Sequence, residues 1–149
     1  MTSGNDQRET GVKSVGRFIA VGGGRGGVGK SLVAVNLAVY FAQLGKPVVL
    51  VDADAAGSNL HAHFGLKAGR SEPEVEDAGV GTIAKALVPT SVPGLSLLPA
   101  AHDAVSPGLT LRAGRKMRWL AALRTLPAEY LVVDVGPGHS DFAVDMMLA

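Results

Sequence analysis

The chain contains no cysteine among its 149 residues. Disulfide bonds, thiol catalysis and cysteine-ligated zinc or iron–sulfur sites are therefore excluded within this sequence. The lack of thiols also fits a reducing compartment. A large excess of charge of either sign is missing too, because the formal net charge is only +1. No bulk electrostatic argument thus favours a nucleic-acid-binding protein, although a local basic face is compatible with this charge.

Long hydrophobic runs are absent as well. The most apolar stretch, Leu32–Leu44, is shorter than the ~20 residues that a membrane-spanning helix needs, and it contains Asn36 and Gln43. Residues 1–15 are polar and lack the apolar segment of a secretory signal, so we expect a disordered N-terminal tail there. Residues 16–149 have the length of one domain, and a hydrophobic content of 47% is enough for a core.

The pattern after the tail is typical of an α/β protein. Short runs of β-branched residues alternate with longer helical patterns, which predicts βαβ units and a doubly wound, mostly parallel sheet. The predicted strands are Arg17–Val21, Pro47–Asp52, Leu95–Leu98 and Tyr130–Asp134. The predicted helices are Lys30–Leu44, Ser58–Phe64, Thr82–Leu87, Leu109–Leu126 and Ser140–Ala149, with a solvated loop at Gly65–Gly81. The last predicted helix reaches the final residue of the sequence, and the predicted sheet has only four strands. This pattern suggests the N-terminal portion of a larger domain.

The clearest motif lies between the first predicted strand and the first predicted helix. Residues Gly24–Ser31 match the phosphate-loop pattern G-x-x-x-x-G-K-[ST] at every fixed position. Glycines let the backbone turn its N–H groups toward an anion, and the helix N-terminus adds its positive dipole end. Lys30 is expected to reach the β- and γ-phosphates and the Ser31 hydroxyl to bind Mg²⁺. The alternative is a glycine-rich turn that binds nothing.

Three further carboxylates lie at the ends of two apolar predicted strands. Asp52 and Asp54 end the second predicted strand, at the sheet edge where ligands bind in open α/β folds. Asp54 is a candidate for orienting water or contacting Mg²⁺, and Asp52 is a second possible Mg²⁺ ligand. Otherwise, the two carboxylates would only cap the helix at Ser58. Asp134 ends an apolar strand in the manner of a Walker B aspartate, a pattern that is also common without a function.

Together these residues resemble the MinD/ParA class of P-loop ATPases. Residues Arg25–Ser31 are similar to the deviant Walker A motif K-G-G-x-G-K-[ST] of that class. The segments Asp52–His61, Pro93–Ala100 and Asp134–Ser140 resemble the MinD and FlhG branch. The resemblance extends over residues 17–149. It identifies the candidate nucleotide-binding residues as Gly24, Arg25, Gly26, Gly27, Val28, Gly29, Lys30, Ser31 and Leu32.

The resemblance implies a P-loop NTPase fold and an ATPase that dimerises with ATP and Mg²⁺ bound, acting in spatial regulation of division or flagella. Lys30, Asp54 and Arg25 would be catalytic, and Ser31, Asp54 and Asp134 would hold Mg²⁺. Arg25 stands where the family has a signature lysine that reaches the nucleotide of the partner subunit. An arginine keeps the charge but has a planar head of different reach.

Two other functions fit the same motifs. A ParA-type partition ATPase would need a basic surface, for which the predicted helix Leu109–Leu126 offers Arg112, Arg115, Lys116, Arg118 and Arg124, although a solvated helix face explains them too. A truncated module could bind nucleotide without turnover.

The implied location is cytoplasmic, with the inner membrane face accessible only through segments absent here. His61 and His63 do not share a helix face and are interpreted as surface residues. Met117 and Trp119 are interpreted as packing residues.

Overall fold

The computed structural model describes residues 16–54, 57, 59–67, 80–100, 113–138, 144 and 148. Five strands and four helices lie in these ranges. The strands are β1 (Arg17–Gly23), β2 (Val48–Ala53), β3 (Val88–Pro89), β4 (Leu95–Leu98) and β5 (Tyr130–Pro137). The helices are α1 (Lys30–Gln43), α2 (Leu60–His63), α3 (Val80–Lys85) and α4 (Ala113–Leu123). The tail at residues 1–15, most of the loop at residues 65–81 and most of the final predicted helix lie outside the described residues.

The strands form one sheet with the order β1-β5-β2-β4-β3. Its first three pairings are parallel, and β3 pairs with β4 in the antiparallel sense. The predicted mostly parallel α/β sheet is therefore confirmed. β5 lies between β1 and β2, so the phosphate loop after β1 and the carboxylates of β2 and β5 meet at one edge of the sheet.

Helices cover both faces, as the doubly wound prediction requires. On one face, Ala34 and Ala38 of α1 and Leu60 of α2 pack with Leu50 and Val132 of the sheet. On the other face, buried side chains of α3 and α4 pack with the alternate sheet residues; this cluster includes Ile83, Leu120, Leu123, Val51, Leu131 and Val133. Strands buried on both faces explain why β2 and β5 are nearly continuous apolar runs.

The prediction of only four strands was wrong. β3 has two residues and includes Pro89, which gives too little periodicity to be recognised in the sequence. A proline cannot donate a ladder hydrogen bond, and it is tolerated here because β3 lies at the edge of the sheet. β1 and β5 also run further than predicted, to Gly23 and Pro137, because these ends pair with each other after a register shift.

Helix ends were predicted with mixed success. The glycine stop of α1 is confirmed: Gly45 has a φ of 77°, and the N–H groups of Gly45 and Lys46 bond to the carbonyls of Ala42 and Phe41. The predicted helix Leu109–Leu126 is shorter than expected at its described end, because α4 stops at Leu123 and a turn follows.

Met117 is 66% exposed, so its interpretation as a packing residue was wrong. Trp119 does pack against the core.

Candidate nucleotide and magnesium site

The phosphate loop joins β1 to α1 through two left-handed glycines. Gly27 has a φ of 70° and Gly29 a φ of 90°. Residues other than glycine rarely adopt this left-handed backbone conformation. Gly29 is the N-cap of α1 and makes no side-chain cap bond. The positive end of this 14-residue helix therefore faces the loop, which is the arrangement that binds phosphate groups.

Lys30 lies folded over this loop. Its Nζ donates a hydrogen bond of 2.9 Å to the carbonyl oxygen of Arg25. A Cβ atom on Gly23 would lie 3.4 Å from the Lys30 Cδ, so the lysine stem runs close along the end of β1. The structure thus places the ammonium group at the loop, where the sequence predicts a phosphate contact. Arg25, Val28 and Leu32 are exposed around it.

Asp134 is the most unusual polar group in the described part of the chain. Its residue is 2% exposed, and its Oδ1 is buried with no hydrogen-bond partner. Burial raises the pKa of this carboxyl, and the charges of Asp52 and Asp54 raise it further. A hydrogen bond from the Ser31 side chain and the charge of Lys30 act in the opposite direction. The Asp134 carboxyl therefore lies within electrostatic reach of Asp52, Asp54 and Lys30.

Asp52 has a different environment from Asp134. It is 4% exposed, and its two oxygens accept backbone hydrogen bonds from Asp54 at 3.2 Å and Leu60 at 3.3 Å. These contacts are the ones that the capping interpretation predicts, except that α2 begins at Leu60 and not at Ser58. Asp52 therefore ties the end of β2 to the start of α2.

Asp54 lies directly after β2, against the end of β5. Its Oδ1 accepts a hydrogen bond of 3.1 Å from the Gly57 N–H. The register pairs Asp52 with Asp134 and Ala53 with Val135, so Asp54 comes beside Gly136. An ideal Cβ on Gly136 would lie 2.7 Å from Asp54 Oδ1. Sequence reasoning did not identify this contact, and its only signal was a glycine two residues after Asp134.

No group of three or more histidine, cysteine or acidic side chains that could hold a metal by themselves occurs in the described ranges. This finding is compatible with Mg²⁺, which usually binds one or two carboxylates together with waters and phosphate oxygens.

His61 and His63 both lie on the short helix α2, and His63 is exposed. No helix in the described ranges is both long and apolar enough to span a membrane.

Comparisons with known proteins agree with this geometry. A family model described as "ParA: NUBPL iron-transfer P-loop NTPase" matches residues 14–149. The chromosome partitioning protein ParA of Caulobacter vibrioides is 32% identical over 141 residues, covering 89% of this chain and 52% of the relative. An iron–sulfur cluster carrier protein of Aquifex aeolicus is 56% identical over 59 residues, covering 40% of this chain and 16% of the relative.

A solved structure gives the same result for the fold. The cobyrinic acid a,c-diamide synthase of Mycobacterium smegmatis, with a bound ATP analogue and magnesium, matches with a TM-score of 0.71 and 27% identity. The match covers 89% of this chain and 55% of that protein. The chain thus spans about half the length of the ParA relative and of this structural neighbour.

Proposed function

Because the chain belongs to the ParA family of P-loop NTPases, we propose that it binds ATP with Mg²⁺ and hydrolyses the γ-phosphate. The nucleotide state then controls the association of two copies, as a MinD/FlhG-like switch in the spatial regulation of division or flagella. The observation that carries the nucleotide and magnesium part is the buried, unpartnered Asp134 Oδ1 beside Ser31 and Lys30.

The donor set at this edge suits Mg²⁺. A hard cation prefers oxygen ligands, and the site offers the Asp134 carboxylate and the hydroxyl of Ser31, which is hydrogen-bonded to it. A buried carboxylate oxygen without a partner is costly, and a cation offsets that cost. When bound, Mg²⁺ would supply charge neutralisation of the phosphates. Asp54 completes the proposed set, with Asp52 as a further possible ligand.

The chain's own residues divide the remaining work. The glycines of the loop and the N-terminus of α1 cradle phosphate oxygens, and Lys30 neutralises charge on the β- and γ-phosphates. Asp54 orients the attacking water. Arg25, exposed on the same loop, extends toward the nucleotide of a second copy. The self-association and the role of Arg25 rest on the resemblance to the family.

Calorimetric titration of ATP with and without Mg²⁺ tests the proposal. Lys30→Ala should abolish measurable binding, because the phosphates would keep only backbone donors. Lys85→Ala is a matched control, since Lys85 is an exposed lysine on α3, on the other face of the sheet. It should bind as the parent chain does. Equal ATP affinity in the parent and Lys30→Ala would contradict the phosphate-loop assignment.

A second candidate is the DNA-partition role, supported by the similarity to ParA. Arg118 and Arg124 are exposed on and just after α4, and Arg124 also lies over the Phe18 ring at 5.9 Å. This function predicts ATP-dependent DNA binding without sequence preference that weakens steeply with salt. Filter binding at two salt concentrations distinguishes it from the MinD/FlhG-like role, in which DNA is not retained.

Iron transfer is not a candidate function for this chain, whereas nucleotide binding without turnover is. Iron transfer is named in the family description, but these 149 residues contain no cysteine ligands, so we do not propose it for this chain. A nucleotide-binding module without turnover would bind Mg²⁺–ATP and release no phosphate, which a phosphate-release assay measures directly. A cytoplasmic location follows from the proposed role, with peripheral membrane contact as a further part of the proposal.

A further inference from the structure

We propose that Gly136 is a positioning residue that seats the Asp54 carboxylate against the end of β5. This inference rests on the proposed function for its catalytic consequence, but its structural part stands on the contact itself. Gly136 belongs to β5, two residues after Asp134, and Asp54 follows the neighbouring strand β2. The two residues are thus brought together by strand pairing and not by sequence proximity.

The steric evidence is the absence of space for a side chain. A Cβ on Gly136 would lie 2.7 Å from Asp54 Oδ1, 3.0 Å from its Cγ and 3.3 Å from its Cα. Real Cβ atoms essentially never approach another heavy atom below 3.0 Å. Gly136 is not among the described glycines with a positive φ. Its backbone conformation is therefore open to other residues, and the reason for glycine is contact with Asp54.

A second glycine closes the other side of the same carboxylate. The Gly57 N–H donates to Asp54 Oδ1, and a Cβ on Gly57 would lie 3.3 Å from Oδ2. Gly57 is exposed in the turn after β2, so this side can give by a few tenths of an ångström. Gly136 lies within β5, between Val135, which pairs with Ala53 of β2, and Pro137, which pairs with Gly23 of β1, so its backbone has less freedom to move. We call Gly57 and Gly136 the glycine seat of Asp54.

The seat has a chemical consequence for the proposed hydrolysis. An alanine at Gly136 forces the Asp54 carboxylate to rotate away from β5, because the side-chain end of Asp54 moves more easily than two paired strands. The phosphate loop does not contain either residue of the contact. Nucleotide binding should therefore persist, while a water-orienting group displaced by about 1 Å can lose on the order of 10²-fold in rate.

A double-mutant cycle in urea tests the contact without any use of activity. Gly136→Ala, Asp54→Ala and the double variant are compared with the parent chain by their unfolding midpoints. Gly136→Ala should lower the midpoint by roughly 1 M in the parent. In the Asp54→Ala background most of that loss should disappear, because Oδ1 and Cγ are gone. Equal losses in both backgrounds would overturn the proposal.

Two matched glycine substitutions sharpen the cycle. Gly16→Ala places a Cβ 3.0 Å from the Glu129 carbonyl oxygen, at the opposite edge of the sheet. Its loss of stability should be identical in both Asp54 backgrounds. Gly57→Ala touches the same carboxylate more loosely and should lower the midpoint less than Gly136→Ala does. If Gly136→Ala does not fold, folding of the double variant supports the seat, and failure of both overturns it.

Steady-state kinetics then tests the positioning role. Gly136→Ala should lower kcat by about 10²-fold and leave the ATP affinity measured by calorimetry within about threefold of the parent. An unchanged kcat in a folded Gly136→Ala variant would overturn the positioning role. A parent chain that binds and hydrolyses no ATP would contradict the proposed function instead, while the urea cycle would still decide whether the seat exists.

Discussion

The two edges of the parallel sheet differ in how their polar groups are satisfied. At the amino-terminal edge, the Arg17 N–H bonds to the Glu129 carbonyl at 2.9 Å, and the Glu129 N–H bonds to the Pro47 carbonyl at 2.9 Å. At the carboxyl-terminal edge, Asp134 Oδ1 is buried without a partner, and burial, followed by the charges of Asp52 and Asp54, raises the pKa of this carboxyl. The backbone groups cited at the first edge have partners, whereas the second edge contains a buried carboxylate oxygen without one, which is where we propose that the ligand binds.

Side chains show the same contrast. The Phe41 and Tyr130 rings stack at 4.0 Å near the amino-terminal edge, and the Arg17 guanidinium lies 5.8 Å from the Tyr130 ring centre. The opposite edge has the left-handed glycines Gly27 and Gly29 in the phosphate loop and Gly136 in close contact with Asp54. Sites at which local packing rules are broken are often functional, and this contrast supports the proposed site at the carboxyl-terminal edge.

The largest effect at the carboxyl-terminal edge is expected for Arg25. An arginine that reaches a nucleotide bound by a second copy can contribute up to ~10³ to 10⁵ in rate. We expect specific ATPase activity to rise with protein concentration and Arg25→Ala to flatten that rise without weakening ATP binding to the monomer. Arg25→Lys should restore part of the effect. Activity that depends on neither concentration nor Arg25 would show that the contact between copies is not made.

The next largest effect is expected for Asp54. Asp54→Ala should keep Mg²⁺–ATP bound through the remaining proposed ligands, Ser31 and Asp134, and lose ~10² to 10⁴ in kcat, because a group that orients water acts mainly in the transition state. Asp54→Asn is the control for shape, since its amide oxygen can still accept the Gly57 N–H. A kcat within about twofold of the parent in both folded variants would reduce Asp54 to a loop carboxylate.

The sequence was enough to select these candidate site residues, because each belongs to a short motif with fixed spacing. Gly24–Ser31 lie on one turn between a strand and a helix, and Asp52, Asp54 and Asp134 end apolar runs. Local patterns of this kind can be recognised in the sequence without knowledge of the tertiary fold. The general α/β architecture was predictable for the same reason, since apolar runs and helical periods alternate along the chain.

Features that depend on strand pairing could not be predicted in this way. The Gly136–Asp54 contact needs the register between β2 and β5, which no local pattern contains. β3 exists because Val88 and Pro89 pair with β4, and two residues carry no period of their own. The exposed Met117 shows the same limit for a helix, because an apolar stripe does not specify which of its members reaches the sheet.

A smaller, opposite effect on stability is expected for Asp134. Asp134→Asn should raise the unfolding free energy of the ligand-free chain by about 1 kcal/mol, because it removes a buried charge whose oxygen lacks a partner. The raised pKa means that the parent chain loses stability as pH rises through the ordinary aspartate value toward the raised one. The advantage of the variant should therefore grow from acid toward neutral pH in urea titrations.

The same variant should lose the effect of Mg²⁺ on ATP binding. For the stability prediction, Asp52→Asn is the matched control. Both Asp52 oxygens accept backbone N–H groups, and the asparagine amide has only one oxygen that can accept. It should lower the unfolding free energy. A rise for Asp52→Asn, or a fall for Asp134→Asn, would mean that the two buried carboxylates do not differ as their hydrogen bonds indicate.

The smallest effect is expected at the amino-terminal edge, in the ion pair of Lys46 and Glu129. The Nζ and Oε1 atoms lie 2.9 Å apart, but both side chains are more than 40% exposed. The hydrogen bond and charge of Glu129 raise the pKa of Lys46, so the pair stabilises the fold below the ordinary lysine value and is lost as pH rises through the raised one. A double-mutant cycle of Lys46→Gln and Glu129→Gln should give a small coupling free energy of unfolding at neutral pH, and this coupling should shrink with added salt.

ATP binding should stay at the parental value in the two single variants and the double variant, because the pair lies at the edge opposite the phosphate loop. A change in ATP affinity from these substitutions would break the separation of the two edges.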